Sequence, residues 1–172
     1  MYFLNCCLIA GMAVMLGLLP LGALAADSPG EQSFLKHCAS CHQVGGVGLT
    51  GLAPPLTIHK SSSLGARTLL PGGREYIPRV MLYGLVGLIE VGGERFSGLM
   101  PSFSQIEDIE LAGIANYLIR SLNETVVPNE FLAYSAEDFA ASRGKGMRQV
   151  DMYKMRRNME KQVTAATNEG GR

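Results

Sequence analysis

Residues 38 to 42 read Cys-Ala-Ser-Cys-His, and these residue types at this spacing point to one specific piece of chemistry. Two thiols separated by two residues can each add across a vinyl group of the same porphyrin. An imidazole placed directly after the second thiol can then reach the iron from that side. Cys-x-x-Cys-His is the signature of covalent c-type haem attachment. Two other chemistries use part of the pattern. A redox-active dithiol needs only Cys-x-x-Cys, but normally follows a strand in a βαβ arrangement, and the sequence shows no such pattern. A zinc site needs a second pair of ligands, and Cys6 and Cys7 are the only other cysteines. The expectation is one haem c, covalent through Cys38 and Cys41, with His42 on the iron.

The opposite face of the iron decides what such a site does. Outside the N-terminal segment, Met81, Met100, His37, His59 and the four methionines of the tail are the candidates for it. Met100 is favoured because Pro101 follows it and Gly98 and Phe103 flank it. A proline there removes a backbone donor and stiffens the chain, so a thioether can be held in place without a helix. Most methionines are only apolar filler; the upstream motif is what singles this one out. His37, directly before Cys38, reads as a partly exposed helix-end residue, and His59 as a loop residue. Arg67, Arg74 and Arg95 could meet a haem propionate, but arginines in such positions are ordinarily solvated. With His42 and Met100 both bound, no iron position is open to oxygen, peroxide or substrate. What is left is the transfer of single electrons, and the chain is expected not to be an enzyme. A soft thioether and an apolar pocket both favour Fe(II), which predicts a high potential. The alternative is a haem enzyme or gas sensor with a vacant sixth position.

The elements that must position these residues can be read around them. Ser28-Pro29-Gly30-Glu31 has an N-cap residue, a proline at the first helical position and a capping-box acid. The helix it starts should run to about His37 and deliver Cys38. A Gly- and Pro-rich loop follows, ending in Ala53-Pro54-Pro55-Leu56, poor in regular structure but able to lie against a flat ring. A second helix is expected over residues 75–83; Pro78 is tolerable only in a first turn, which favours a later start, and Gly84 ends it. Apolar residues on both sides of Gly92-Gly93, between Leu88 and Phe96, predict a small hairpin. The last core helix is expected from Ser104, capped by Ser104 and Glu107, to Ser121, with Ile106, Ile109, Ile114, Tyr117 and Leu118 on its buried face.

Composition bounds the rest. Fifteen basic residues balance fifteen acidic ones, so nothing marks a nucleic-acid partner. Residues 1–25 read as a signal peptide, with an apolar stretch from about Leu8 to Leu21 and Ala23-Leu24-Ala25 before a cut at Ala26 or one residue later. The segment lacks Lys and Arg, so an uncleaved membrane anchor is the competing reading. Both readings are of an exported, periplasmic chain. The haem-carrying unit is expected at 26–122. The extension at 123–172 carries four acids and no base from Glu124 to Asp138, then eight bases and three acids from Arg143 onward. Asn123 to Pro128 reads as a linker. A short helix should begin at Ser135 and break at Gly144 and Gly146. A longer one after Met147 places Met152, Met155, Met159 and Val163 along one face. That face either docks on a partner or membrane or packs back on the main unit; residues from Thr167 are expected to be disordered.

Taken together, Cys38-Ala39-Ser40-Cys41-His42 and the stretch from Val91 to Phe103 resemble class I (monohaem) cytochromes c. The second stretch is most similar to cytochrome c subunits or partners of bacterial periplasmic dehydrogenases. The resemblance covers about residues 28–122. It implies an all-α fold of helices packed around one covalent haem, here with a small hairpin and a helical C-terminal extension. It also implies first and last helices that cross through Gly30 and Phe34 against Ile114 and Tyr117. A backbone carbonyl of the Ala53-Pro54-Pro55 segment, from Pro54 or Pro55, should accept the His42 Nδ1–H. The implied partners are redox proteins: a dehydrogenase as donor, and an oxidase or second cytochrome in a respiratory chain as acceptor.

Overall fold

The computed structural model describes residues 28–57, 72–123 and 131–169. The export segment with Cys6 and Cys7, together with His59, Arg67 and most of the expected linker, lies outside them. The described chain is predominantly helical with one two-stranded antiparallel sheet.

Helix α1, Pro29–His37, begins where the caps predict: Ser28 Oγ accepts from the Glu31 amide at 3.2 Å. The Glu31 carboxylate reaches across to the last core helix, where the Tyr117 hydroxyl donates to it at 3.1 Å. Cys38 ends α1, and the one-turn helix α2, Ala39–His42, follows at once. Helix α3, Gly73–Tyr83, starts earlier than expected and contains Pro78 in its interior. The expectation failed because the carbonyl that a Pro78 amide would have bonded, that of Arg74, is taken by the Tyr134 hydroxyl at 3.1 Å. The proline's missing donor is thus replaced from another part of the chain. Gly84, at φ 72°, ends the helix as expected.

The hairpin is longer than predicted, with strands β1, Leu85–Val91, and β2, Glu94–Met100. Gly92 and Gly93 form a two-residue turn with φ of 63° and 86°, which only glycine adopts readily at both positions. That turn fixes a register in which Val91 opposes Glu94 and Leu85 opposes Met100.

Helix α4, Asp108–Asn116, continues as a π-turn, Tyr117–Ser121, in which the Leu122 amide bonds the Tyr117 carbonyl at 3.2 Å. The capping box predicted at Ser104 and Glu107 does not form, and the helix starts four residues later. The Ser104 and Ile106 carbonyls, which a helix from Ser104 would need, are both occupied by the Arg143 guanidinium. Ile106, Ile114, Tyr117 and Leu118 are buried as expected, but Ile109 is 69% exposed. It lies on the side of the helix opposite Leu111, Ala115 and Leu118, which form the inward stripe. Where α1 crosses α4, a Cβ on Gly30 would collide with the Gly113 carbonyl, and the Phe34 and Tyr117 rings meet at 5.4 Å.

The extension folds back on the rest. Helix α5, Ala136–Arg143, carries a complete capping box between Ser135 and Asp138. Helix α6, Gln149–Glu169, runs past Thr167. Its methionine stripe faces inward: Met152 and Met159 are fully buried in the same core as Phe34, Ile77 and Leu111, and Met155 packs at its edge. Val163 lies beyond the described side chains. Asn123, read as the start of a linker, is itself buried and donates to the Leu56 and Leu118 carbonyls at 2.8 and 2.7 Å. No described helix is long and apolar enough to cross a membrane.

Candidate haem site

A deep cleft of about 1490 Å³, counting the space at its mouth, opens between α2, α3, the hairpin and the turn before α4. Cys38, Cys41, His42, Pro54, Pro55 and Met100 all line it, so the six residues singled out by sequence are brought together. Each is held by identifiable local chemistry.

Cys38 and Cys41 are placed by the helix end: the Cys41 and His42 amides bond the Cys38 carbonyl at 3.2 and 2.9 Å. Cys38 is partly buried and Cys41 exposed. Burial, and secondarily the neighbouring Cys41, push the Cys38 thiol up to about 12. The described residues contain no group of three His, Cys, Asp or Glu arranged to hold a metal ion.

His42 is buried, and its Nδ1 donates to the Pro54 carbonyl at 2.9 Å. Of the two prolines the sequence left open, Pro54 is the partner. The carbonyl reaches the ring because the glycine-rich loop folds on itself. The Leu56 amide bonds the Gly46 carbonyl at 2.7 Å, and the Gly48 amide bonds the His42 carbonyl at 2.9 Å. Gly48, at φ 78°, sits so close to the Ala53-Pro54-Pro55 backbone that no side chain fits there. Burial lowers the His42 pKa, while the bond to Pro54 opposes that shift. The result is a neutral imidazole with its Nδ1 hydrogen spent, so Nε2 keeps the lone pair a metal needs.

Met100 owes its place to the hairpin register. Side chains alternate along a strand, so Leu85, Gly87, Ile89 and Val91 of β1 and Phe96, Gly98 and Met100 of β2 share the face that forms one wall of the cleft. Beyond Met100 the chain is tied to the end of α3. The Phe103 amide bonds the Met81 carbonyl at 2.9 Å, and Ser102 Oγ donates to the Leu82 carbonyl at 2.5 Å. Gly84 packs directly on the Met100 carbonyl. Met81 also lines the cleft, more deeply buried than Met100.

Other candidates are otherwise engaged. His37 pairs with Glu110 at 3.0 Å. Arg74 is committed to the extension, bonding the Leu132 and Ala133 carbonyls and Asp138, so it does not serve the cleft. Arg95 is exposed on the hairpin. The sequence reading missed Tyr76 and Arg156, both buried and both lining the cleft. Arg156 lies in a run of charges on α6, and nothing in its local sequence distinguishes an inward arginine from a solvated one.

The residues present fit a haem. Two cysteines, a neutral imidazole and a thioether converge on a cleft whose other lining residues are mostly apolar. Residues 25–118 match the family described as cytochrome C oxidase, cbb3-type, subunit III. The chain is also similar to a protein named cytochrome c-552 from Thermus thermophilus, 36% identical over 131 residues, which span 76% of this chain and 86% of the relative. A second cytochrome c-552 from the same species is 38% identical over 109 residues, spanning 63% of this chain and 80% of the relative. The chain therefore belongs to the cbb3-type subunit III family of c-type cytochromes, electron-carrying proteins with haem c bound covalently, here through Cys38 and Cys41.

Proposed function

We propose that the protein is an exported, periplasmic carrier of single electrons in which His42 and Met100 are the two axial ligands of the haem iron. Its donor would be a periplasmic redox protein such as a dehydrogenase, and its acceptor an oxidase or second cytochrome of a respiratory chain. The observation that carries this reading is that His42, from α2, and Met100, from the end of β2, line the same apolar cleft as both cysteines. When bound, the haem supplies a one-electron Fe(III)/Fe(II) couple. The chain's residues set the conditions for it. Pro54 holds the imidazole in one tautomer and orientation. The hairpin register and the ties from Ser102 and Phe103 to α3 hold the thioether. The apolar lining disfavours the more highly charged oxidised centre.

The surroundings of the mouth support a transient protein partner. From Cys38 to Thr57 the sequence contains no Asp, Glu, Lys or Arg. Val44, Val47 and Leu52 in this stretch are exposed, as is Leu99 on the hairpin. A small contact made through such residues depends weakly on salt. The basic amphipathic helix, by contrast, turns its methionines inward, which favours packing over docking for that segment.

Absorption spectroscopy tests the ligand set. The ferric wild-type protein should show the weak far-red band of iron bound to a thioether. Met100→Ala should abolish it, and Met81→Leu should retain it. A wild-type iron that is five-coordinate, or that binds carbon monoxide readily, would establish the vacant-site alternative instead. Fractionation of the native cells tests export, and co-purification of redox partners identifies donor and acceptor.

A further inference from the structure

Among the described residues lining the cleft, Arg156 is the only Asp, Glu, Lys or Arg. It comes from α6, far along the chain from the attachment motif, and its side chain is only 6% exposed. Three contacts fix it. Nη1 donates to the Tyr76 hydroxyl at 3.2 Å, Nη2 donates to the Glu90 carbonyl at 3.0 Å, and Nε faces the Glu160 carboxylate at 2.9 Å. Placing a guanidinium at an apolar cleft is costly unless charge and hydrogen bonds compensate it there. Glu160 supplies charge on the Nε side; the side facing the cleft has no acidic residue among those described.

Tyr76 adds a second donor. Its oxygen accepts from Arg156, so its own hydroxyl hydrogen remains to be given, and no described residue accepts it. Tyr76 is 2% exposed, and a buried donor left without an acceptor is destabilising. A cationic fork and a hydroxyl hydrogen thus stand side by side at the edge of an apolar cavity. That pair matches a carboxylate, which can accept from both at once. Haem is an apolar disc carrying two carboxylates, the propionates.

We infer that Arg156 and Tyr76 together receive one haem propionate, so that the C-terminal helix completes the cofactor site. Arg156 is a positioning and charge-setting residue; Glu160 and the Glu90 carbonyl hold it in place. The inference rests on the covalent haem and is independent of which residue is the sixth ligand. Its consequence is electrostatic. A propionate without its counter-charge places negative charge near the iron and stabilises Fe(III), so Arg156 raises the reduction potential.

Spectroelectrochemical titration of the holoprotein tests this, with thermal unfolding measured alongside. In Arg156→Leu the equilibrium with a one-electron reference couple should move about tenfold toward Fe(III), a fall of about 59 mV. Arg156→Lys should recover most of that fall. Tyr76→Phe should show a smaller fall of the same sign. The axial-ligand absorption bands should be unchanged in all three, so any failure of the Met100 assignment is read separately. If Arg156 only fastens α6 to α3 and β1, the unfolding midpoint drops while the potential stays at the wild-type value. That result in Arg156→Leu would overturn the assignment. Should Arg156→Leu not accumulate, unchanged potentials in both Arg156→Lys and Tyr76→Phe would overturn it equally.

Discussion

The Tyr134 hydroxyl donates at 3.1 Å to the Arg74 carbonyl, the acceptor that Pro78 leaves without its helical partner. A residue from the extension therefore repairs a defect in a core helix. The Arg74 guanidinium returns the contact, stacking on the Tyr134 ring at 4.6 Å. Tyr134→Phe keeps the ring and removes only the repair. It should cost about 1–3 kcal/mol, the price of an unsatisfied buried carbonyl. Denaturant unfolding of the holoprotein measures it, and a cost near zero would mean that water serves the carbonyl equally well.

The crossing of α1 and α4 depends on the absence of a side chain at residue 30. Gly30→Ala should push the Gly113 carbonyl away and separate the two helices. The expected loss is about 1–3 kcal/mol, as for other overpacked contacts, despite the higher helix propensity of alanine. A variant as stable as wild type, or more stable, would show that the crossing relaxes freely.

Met152 and Met159 make α6 part of the core rather than an appendage. Met152→Ala should cost about 2–5 kcal/mol. Haem absorbance and far-ultraviolet circular dichroism should still change at one common midpoint. Two separate transitions would show instead that the extension unfolds on its own.

The Glu110 carboxyl is held below its ordinary value, chiefly by its hydrogen bond to His37 and then by Ser33 and nearby Lys36. A carboxyl depressed by folding stabilises the protein above its unfolded-state value of about 4.5. That contribution disappears as pH falls through the folded-state value. The stability difference between wild type and Glu110→Gln should thus shrink as pH falls below about 5. Its size should be at most about 1 kcal/mol, because the pair is accessible to solvent. A difference that grows as pH falls would contradict the assignment.

Local signals explain which parts of this molecule could be read from the sequence. Ser28 and Pro29 placed the start of α1, Gly84 the end of α3, and Gly92-Gly93 the turn of the hairpin, because each acts within a few residues of itself. The haem motif is likewise contiguous, and Pro54 needed only a nearby loop to reach His42. The misplaced features depended on distant residues. Pro78 is admitted to a helix interior by Tyr134, α4 starts late because Arg143 occupies its upstream carbonyls, and Arg156 turns inward toward Tyr76 and Glu90. In the first two cases the deciding partner comes from the extension; in the third, a residue of the extension is turned by partners in α3 and β1. No pattern within the affected segment encodes that partner.

The inward packing of α6 also imposes an order in time. Cys38 and Cys41 emerge early in synthesis, whereas Arg156 follows more than a hundred residues later. Until that part of the chain arrives, the cleft lacks the Arg156 guanidinium, the one Asp, Glu, Lys or Arg among its described lining residues. The apolar lining and the attachment cysteines are therefore synthesised first, and the charge of the cleft is supplied last.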